Sequence, residues 1–245
     1  DAQHTGWIDA FFAGFLACAH AFNVDLIGGD TTSGPRSFSV TAMGEINPAK
    51  ALRRSGAHDG DDIWISGTPG YAALGLGAKL GQWQLPAPIA ELADHALHHP
   101  EPRVALGLAL RDLAHSAIDI SDGLLQDLGH IVEASKLQAS LSVTSLPPCP
   151  LGVENDRWLN CLLGGGDDYE LLFTAATSDR ESLQAISQSL ALPLTRIGTV
   201  NTRRKDDHST TNRDTMLSDI ELLDADGHRI DLSHFRRGYD HFANR

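Results

Sequence analysis

Positive charge is what this sequence has least of. Its 245 residues carry 19 lysines and arginines against 32 aspartates and glutamates, a formal net charge of −13. That balance argues against a nucleic acid or an anionic membrane as partner, because phosphate-rich surfaces demand a basic face. A phosphorylated small molecule is still admitted, since bound Mg²⁺ reverses the local sign. Cysteine is scarce too: Cys18, Cys149 and Cys161 lie far apart with no CxxC pair. Neither a disulfide framework nor a structural zinc site is expected, and a reducing cytoplasm is the default location. The twelve histidines are scattered, and His98-His99 belongs to no HExxH motif. They read as surface or helix residues and not as metal ligands. A clean apolar run of ~20 residues, long enough to span a bilayer, is also missing. The most apolar stretch, WIDAFFAGFLACAHAF (7–22), is broken by Asp9 and His20 and has no basic flank or A-x-A site. It reads as an amphipathic or buried helix, not as a leader or a membrane span. No Walker A loop and no internal repeat are seen.

What is present is α/β or α+β material. After helix 7–22 come a short apolar strand, VDLIGG (24–29), and SFSVTAMGEI (37–46), whose alternation of Phe38, Val40 and Ala42 with Ser37, Ser39 and Thr41 predicts a half-buried strand. Asn47-Pro48 breaks the chain and places a domain boundary near residue 50, giving regions 1–50 and 51–245. Beyond it the pattern predicts strands at 61–67, 117–120, 137–143, 169–175 and 195–200. Helices are predicted at 71–81, around 84–95, at 98–115, 124–135 and 156–163, and over 179–191. A hairpin is expected around Asp226-Gly227, and the polar stretch KDDHSTTNRD (205–214) reads as a mobile hairpin tip.

Three Gly/Asp clusters carry the chemistry. In AIDISDGLLQDLGHIV (117–132), Leu124, Leu128 and Ile131 mark the buried face of a helix, with Asp127 on the opposite, solvated face. Ser121 or Asp122 would cap that helix. Asp119 shares a strand face with Ser121, opposite Ile118 and Ile120. A carboxylate there needs either an arginine partner or a cation, and next to Asp122 it forms a cluster of hard oxygens suited to Mg²⁺. In LIGGDTTSGPR (26–36), Asp30 follows Gly28-Gly29 and is either a ligand or an Asx turn. In LLGGGDDYELLF (162–173), Asp167 and Asp168 stand in a glycine-rich loop that either binds something or merely turns. The step from Gly67 to Gly70 is a further anion-site candidate through its backbone N–H groups. GLGAKLG (75–81) imitates a dinucleotide fingerprint only superficially, because it lies inside a helix.

Taken together, LIGGDTT, RSGA (54–57), SGTPG (66–70), AIDISDGLLQDLGHI, GGGDDYEL and GYDHF (238–242), in this order and spacing, resemble the thiamine-monophosphate kinase family. That family belongs to the AIR-synthetase-like group of ATP-dependent enzymes. The resemblance covers roughly residues 7–243. It implies a two-domain AIR-synthetase-like fold with a truncated N-terminal domain and a C-terminal mixed sheet flanked by helices. The implied activity is phosphorylation of thiamine monophosphate by ATP with Mg²⁺, in a cytoplasmic homodimer. The implied magnesium ligands are Asp30, Asp119 and Asp122. Gly29 and Ser121 would contact the nucleotide and Arg54 its phosphates, while Asp167 and Tyr239 would contact the thiamine part. Asp167 stands where the family usually has Glu, and the family's N-terminal segment is not part of this chain. Two rival readings accompany this one. The first is another enzyme of the group, making selenophosphate or acting in aminoimidazole-ribotide synthesis. The second is a non-catalytic module that binds nucleotide or thiamine phosphate.

Overall fold

The computed structural model describes residues 5–203 and 219–235. The chain divides into two compact units, Asp1–Ile46 and Asn47–Arg245.

The first unit contains one helix, α1 (Thr5–Ala21). An aromatic cluster anchors the later chain onto it. Phe38 stacks on Phe11 with ring centroids 4.2 Å apart, and the Arg36 guanidinium lies 4.8 Å over the Trp7 ring. The strands expected over 24–29 and 37–46 do not form. Alternation of apolar and polar side chains specifies two faces, but a strand also needs a neighbour for its N–H and C=O groups. Among the described residues the first unit offers none. Ile27, Val40, Met43 and Ile46 consequently stand exposed.

The second unit is built on a seven-stranded mixed sheet. Its strands are β1 (Asp62–Ser66), β2 (Ala114–Ile120), β3 (Leu137–Ser142), β4 (Glu170–Ala175), β5 (Leu194–Thr202), β6 (Ile220–Leu223) and β7 (Arg229–Ile230), in spatial order β2-β4-β1-β5-β3-β6-β7. All pairings are antiparallel except β3 with β6. The helices are α2 (Tyr71–Lys79), α3 (Ala87–His98), α4 (Val104–Ala109), α5 (Leu124–Ser135), α6 (Asn155–Gly164) and α7 (Arg180–Ser189).

Strand β1 is buried at all five positions because helices cover both faces of the sheet. Ile63 and Ile65 point into a core shared with Leu74 of α2, Leu124, Leu128 and Ile131 of α5, and Trp158 of α6. Trp64, between them, points the other way, toward Phe173 and the α4 and α7 side chains Leu106 and Leu183. Two-sided cover of this kind makes the fold a mixed α/β layer structure. The helix expected over 98–115 is shorter than its pattern. Pro100 and Pro102 keep the chain extended before Val104, and Ala114 already begins β2. The hairpin around Asp226-Gly227 forms between β6 and β7. The stretch 205–214 lies outside the described residues.

Candidate active site at the β2–α5 turn

Strand β2 delivers the first carboxylate. Ile118 and Ile120 are buried, and Asp119, between them, is exposed, as strand alternation requires. The chain then turns through Ser121 and Asp122 into α5. Contrary to expectation, neither residue caps the helix by its side chain. The N-cap is Gly123, and the capping group comes from inside the first turn. Asp127 is buried, not solvated: its Oδ2 accepts the backbone N–H groups of Ser121, Asp122 and Gly123 at 3.1, 3.2 and 3.2 Å. The apolar stripe of α5 is therefore interrupted by one acid that folds back to hold the turn. Removal from water raises the Asp127 carboxyl to about 6, against the opposing pull of those N–H bonds. Asp122 is left facing outward, its Oδ2 bonded to Gln126 Nε2 at 3.2 Å.

The glycine-rich loop before β4 locks onto the same turn. Asp167 N donates to Ser121 O at 3.0 Å and Tyr169 N donates to Ile120 O at 2.8 Å. The approach is so close that a Cβ on Gly166 would lie 2.4 Å from the Ser121 carbonyl oxygen. Asp167 and Tyr169 both hold left-handed backbone (φ 68° and 52°), a conformation that costs non-glycine residues energy and gathers at functional sites. The Tyr169 phenol is pushed above its ordinary value, first by burial and then by the charges of Asp167, Asp119 and Asp122. Of these three carboxylates Asp167 meets the ring directly, its Oδ1 accepting from the Tyr169 hydroxyl at 3.4 Å. Among the described residues no lysine or arginine pairs with any of them.

The second acid of the loop behaves differently. Asp168 turns inward and accepts the N–H groups of Gly70 at 2.7 Å and Ala72 at 3.3 Å. The anion site anticipated between Gly67 and Gly70 is therefore filled by the protein's own carboxylate. Burial raises the Asp168 carboxyl to about 7. Glu170 is closed as well: Arg103 holds it by two parallel N–H···O bonds of 2.7 and 2.6 Å.

Arg54 lies in the short 3₁₀ turn Arg54–Gly56, which packs against α5 through Ser135 Oγ donating to Arg54 O at 3.0 Å. His130 of α5 is pushed below the ordinary imidazole value by burial and then by the Arg54 charge, and it also feels Asp122. Asp30 and Gly29 belong to the first unit, where both are exposed and Asp30 Oδ1 accepts the Thr31 N–H at 2.8 Å. Tyr239 lies outside the described residues. Sequence reasoning missed the anchoring role of Asp127, the inward turn of Asp168 and the place of Tyr169. A spacing signal existed for Asp127 alone, since an acid in the first helical turn is a recurrent partner for the orphan N–H groups there.

Known proteins resemble this chain along nearly its whole length. Residues 58–209 match the model of the AIR synthase related protein, C-terminal domain. The thiamine-monophosphate kinase of Salmonella typhimurium is 39% identical over 245 residues, covering 97% of this chain and 69% of the relative. The enzyme of the same name from Escherichia coli K12 matches to the same extent, 39% identity with 97% and 69% coverage. Among solved structures, the thiamine-monophosphate kinase of Stenotrophomonas maltophilia K279a superposes with a TM-score of 0.78 at 43% identity, over 92% of this chain and 68% of that one. AaThiL in complex with AMPPCP and TMP shares the fold, with a TM-score of 0.58 at 24% identity over 78% of this chain and 54% of that one. Identity of this extent over nearly the whole chain means that the chain belongs to the thiamine-monophosphate kinase family.

Proposed function

We propose that this protein transfers the γ-phosphoryl group of ATP to the phosphate of thiamine monophosphate. The observation that carries the reading is the β2–α5 turn bonded to the glycine-rich loop, which sets Asp119, Asp122 and Asp167 on adjoining backbone with no basic partner for any of them among the described residues. Such a set consists of hard oxygen donors and fits Mg²⁺. Asp119 and Asp122 are the proposed ligands, and Mg²⁺ held there would neutralise phosphate charge. Within the first unit, Asp30 keeps the role of a further magnesium ligand and Gly29 that of a nucleotide contact. In domain terms, residues 1–50 are the remainder of an ATP- and magnesium-binding domain, and 51–245 form the C-terminal α/β domain.

The attacking phosphate is already anionic at neutral pH, so the chain needs no general base. Its task is to bring two polyanions together and hold them in line. Arg54 supplies positive charge to the ATP phosphates, and Ser121, pinned through its N–H by Asp127, contacts the nucleotide. Asp167 and Tyr239 are proposed to face the thiamine part. An aromatic face at Tyr239 suits a cationic thiazolium. Asp167 is one methylene shorter than the Glu usual in the family, and its left-handed backbone sets where that shorter side chain emerges.

Two further readings belong to this proposal. Exposed Ile27, Val40 and Met43 support pairing of two copies through the first unit. The acidic composition and sparse cysteines support a cytoplasmic location, and among the described residues no helix is long and apolar enough to cross a membrane. Thermal shift with ATP–Mg²⁺, with thiamine monophosphate and with both, followed by ADP release, tests the activity. ADP release that requires both thiamine monophosphate and Mg²⁺ is expected. Stabilisation by the ligands without ADP release would replace the kinase with a binding module.

A further inference from the structure

We propose that His58, Asp61 and His115 form a second cation site, one for a transition-metal dication of the zinc class. His58 and Asp61 come from the loop that leads into β1, and His115 comes from β2. Their ligand atoms lie within 4.8 Å of one another. His58 Nδ1 is 3.0 Å from His115 Nδ1, and His115 Nδ1 is 2.9 Å from each Asp61 oxygen. Around a tetrahedral zinc with bonds near 2.0 Å, ligand atoms sit roughly 3.3 Å apart. The observed spacing needs only a small expansion to admit the ion.

Proton accounting gives the stronger argument. His115 Nδ1 carries at most one hydrogen, yet it faces two polar groups. If it donates to Asp61, the His58 nitrogen must share that same hydrogen from another side. If it instead accepts from His58 Nδ1, its lone pair faces a carboxylate oxygen. If both rings are protonated at Nδ1, two N–H groups oppose each other. Each arrangement leaves one contact poorly satisfied. A dication placed among the three atoms resolves the conflict, because every one of them then acts as a lone-pair donor.

The surroundings fit a built site. Asp61 is only 3% exposed, and among the described residues no lysine or arginine pairs with it. Its backbone is fixed by Val200 N donating to Asp61 O at 2.8 Å, and its Oδ2 accepts the His58 N–H at 2.9 Å. The loop rests directly on β2: a Cβ on Gly56 would lie 1.8 Å from the His115 carbonyl oxygen. Arg53 also bridges to Ser116 in parallel register along the outer edge of β2. His58 is exposed and His115 partly so, which gives the ion an entry path and leaves a fourth position for water. Two imidazoles and one carboxylate favour Zn²⁺, Co²⁺ or Ni²⁺ over Mg²⁺. The site is thus chemically distinct from the carboxylates proposed for Mg²⁺ at Asp119 and Asp122. Bound metal would staple the β1 entry loop, which carries Arg54 at its start, to the open edge of the sheet.

Titration of the metal-free protein with Zn²⁺ against a chromophoric chelator, repeated with Co²⁺ by visible absorbance, tests the site. One equivalent is expected, with tetrahedral Co²⁺ bands and no displacement by millimolar Mg²⁺. His58→Gln and His115→Gln should each weaken Zn²⁺ by about tenfold or more. Because His58 is exposed, H58Q should melt like the wild type without metal, which separates lost binding from lost folding. His99→Gln and His228→Gln serve as controls, since both lie near other histidines or acids. Wild-type Zn²⁺ affinity in H58Q and H115Q, or a loss that follows His99 or His228 instead, would overturn the proposal.

Discussion

Two carboxylates on neighbouring strands meet opposite fates. Glu170 stands opposite Ile120 in the β2–β4 ladder and is gripped by Arg103, with the Ser66 hydroxyl donating to it as well. Asp119 stands opposite Leu171, one step along the same ladder, and has no basic partner among the described residues. The contrast repeats across the sheet. Asp62 is fully buried and bonded by Arg180 at 2.6 and 2.8 Å, with Arg196 at 3.4 Å, whereas Asp167 is exposed and Asp122 half-buried, neither with a basic partner among the described residues. Acids of the first kind hold the fold together, because a buried charge is tolerated only when paired. Acids of the second kind have no such pairing among the described residues, and in the proposed kinase Asp119 and Asp122 would meet a cation instead.

The contrast can be broken by substitution. Asp119→Asn should lower turnover about 1,000-fold at saturating Mg²⁺ while leaving the melting temperature unchanged, since the side chain is exposed. ADP-release kinetics beside a thermal melt check both halves, and wild-type turnover would remove Asp119 from the site. Asp62→Ala should do the converse. Loss of the buried carboxylate leaves a small cavity and two half-exposed arginines without their shared partner, and should lower the urea midpoint. The turnover of the remaining folded protein is expected to be unaltered. The smallest effect sharpens the comparison by pH. Folded Asp168 keeps its proton to about 7, whereas the unfolded carboxyl loses it near 3.8. Between those values the unfolded chain is the more ionised form, so stability falls as pH rises, by roughly 1.4 kcal/mol per unit from this group. Asp168→Asn should flatten that slope between pH 5 and 7 in melts across a buffer series.

Much of the second unit was legible because its periods are strong. The short apolar run in DIWIS and the stripe of LLQDLGHIVEAS predict β1 and α5 nearly to the residue. What the periods did not reveal depends on distance. Asp127 looks like one more polar residue on a helix until the turn before it is seen to need its oxygen. Asp168 looks like a loop acid until Gly70 is found beside it, 98 positions away in sequence. His58 and His115 are 57 positions apart, so no ligand spacing could have flagged them. The residues 24–46 failed for the opposite reason: local alternation promised a strand, but strand formation is a property of two segments. The proposed metal ligands, nucleotide contacts and thiamine contact at Tyr239 rest on resemblance and chemistry, with the unpaired acids of the β2–α5 turn as their physical support among the described residues.

The order of strands carries a consequence for how this molecule comes into being. In β2-β4-β1-β5-β3-β6-β7, only β6 and β7 are neighbours both in space and in the chain. Every other pairing must close a long excursion before its hydrogen bonds repay the lost chain entropy. During synthesis, β1 and β2 have to wait beside the ribosome until β4 emerges to seat itself between them. Their apolar side chains remain uncovered for that interval, and non-local pairing of this kind favours a slow, late-committing folding route.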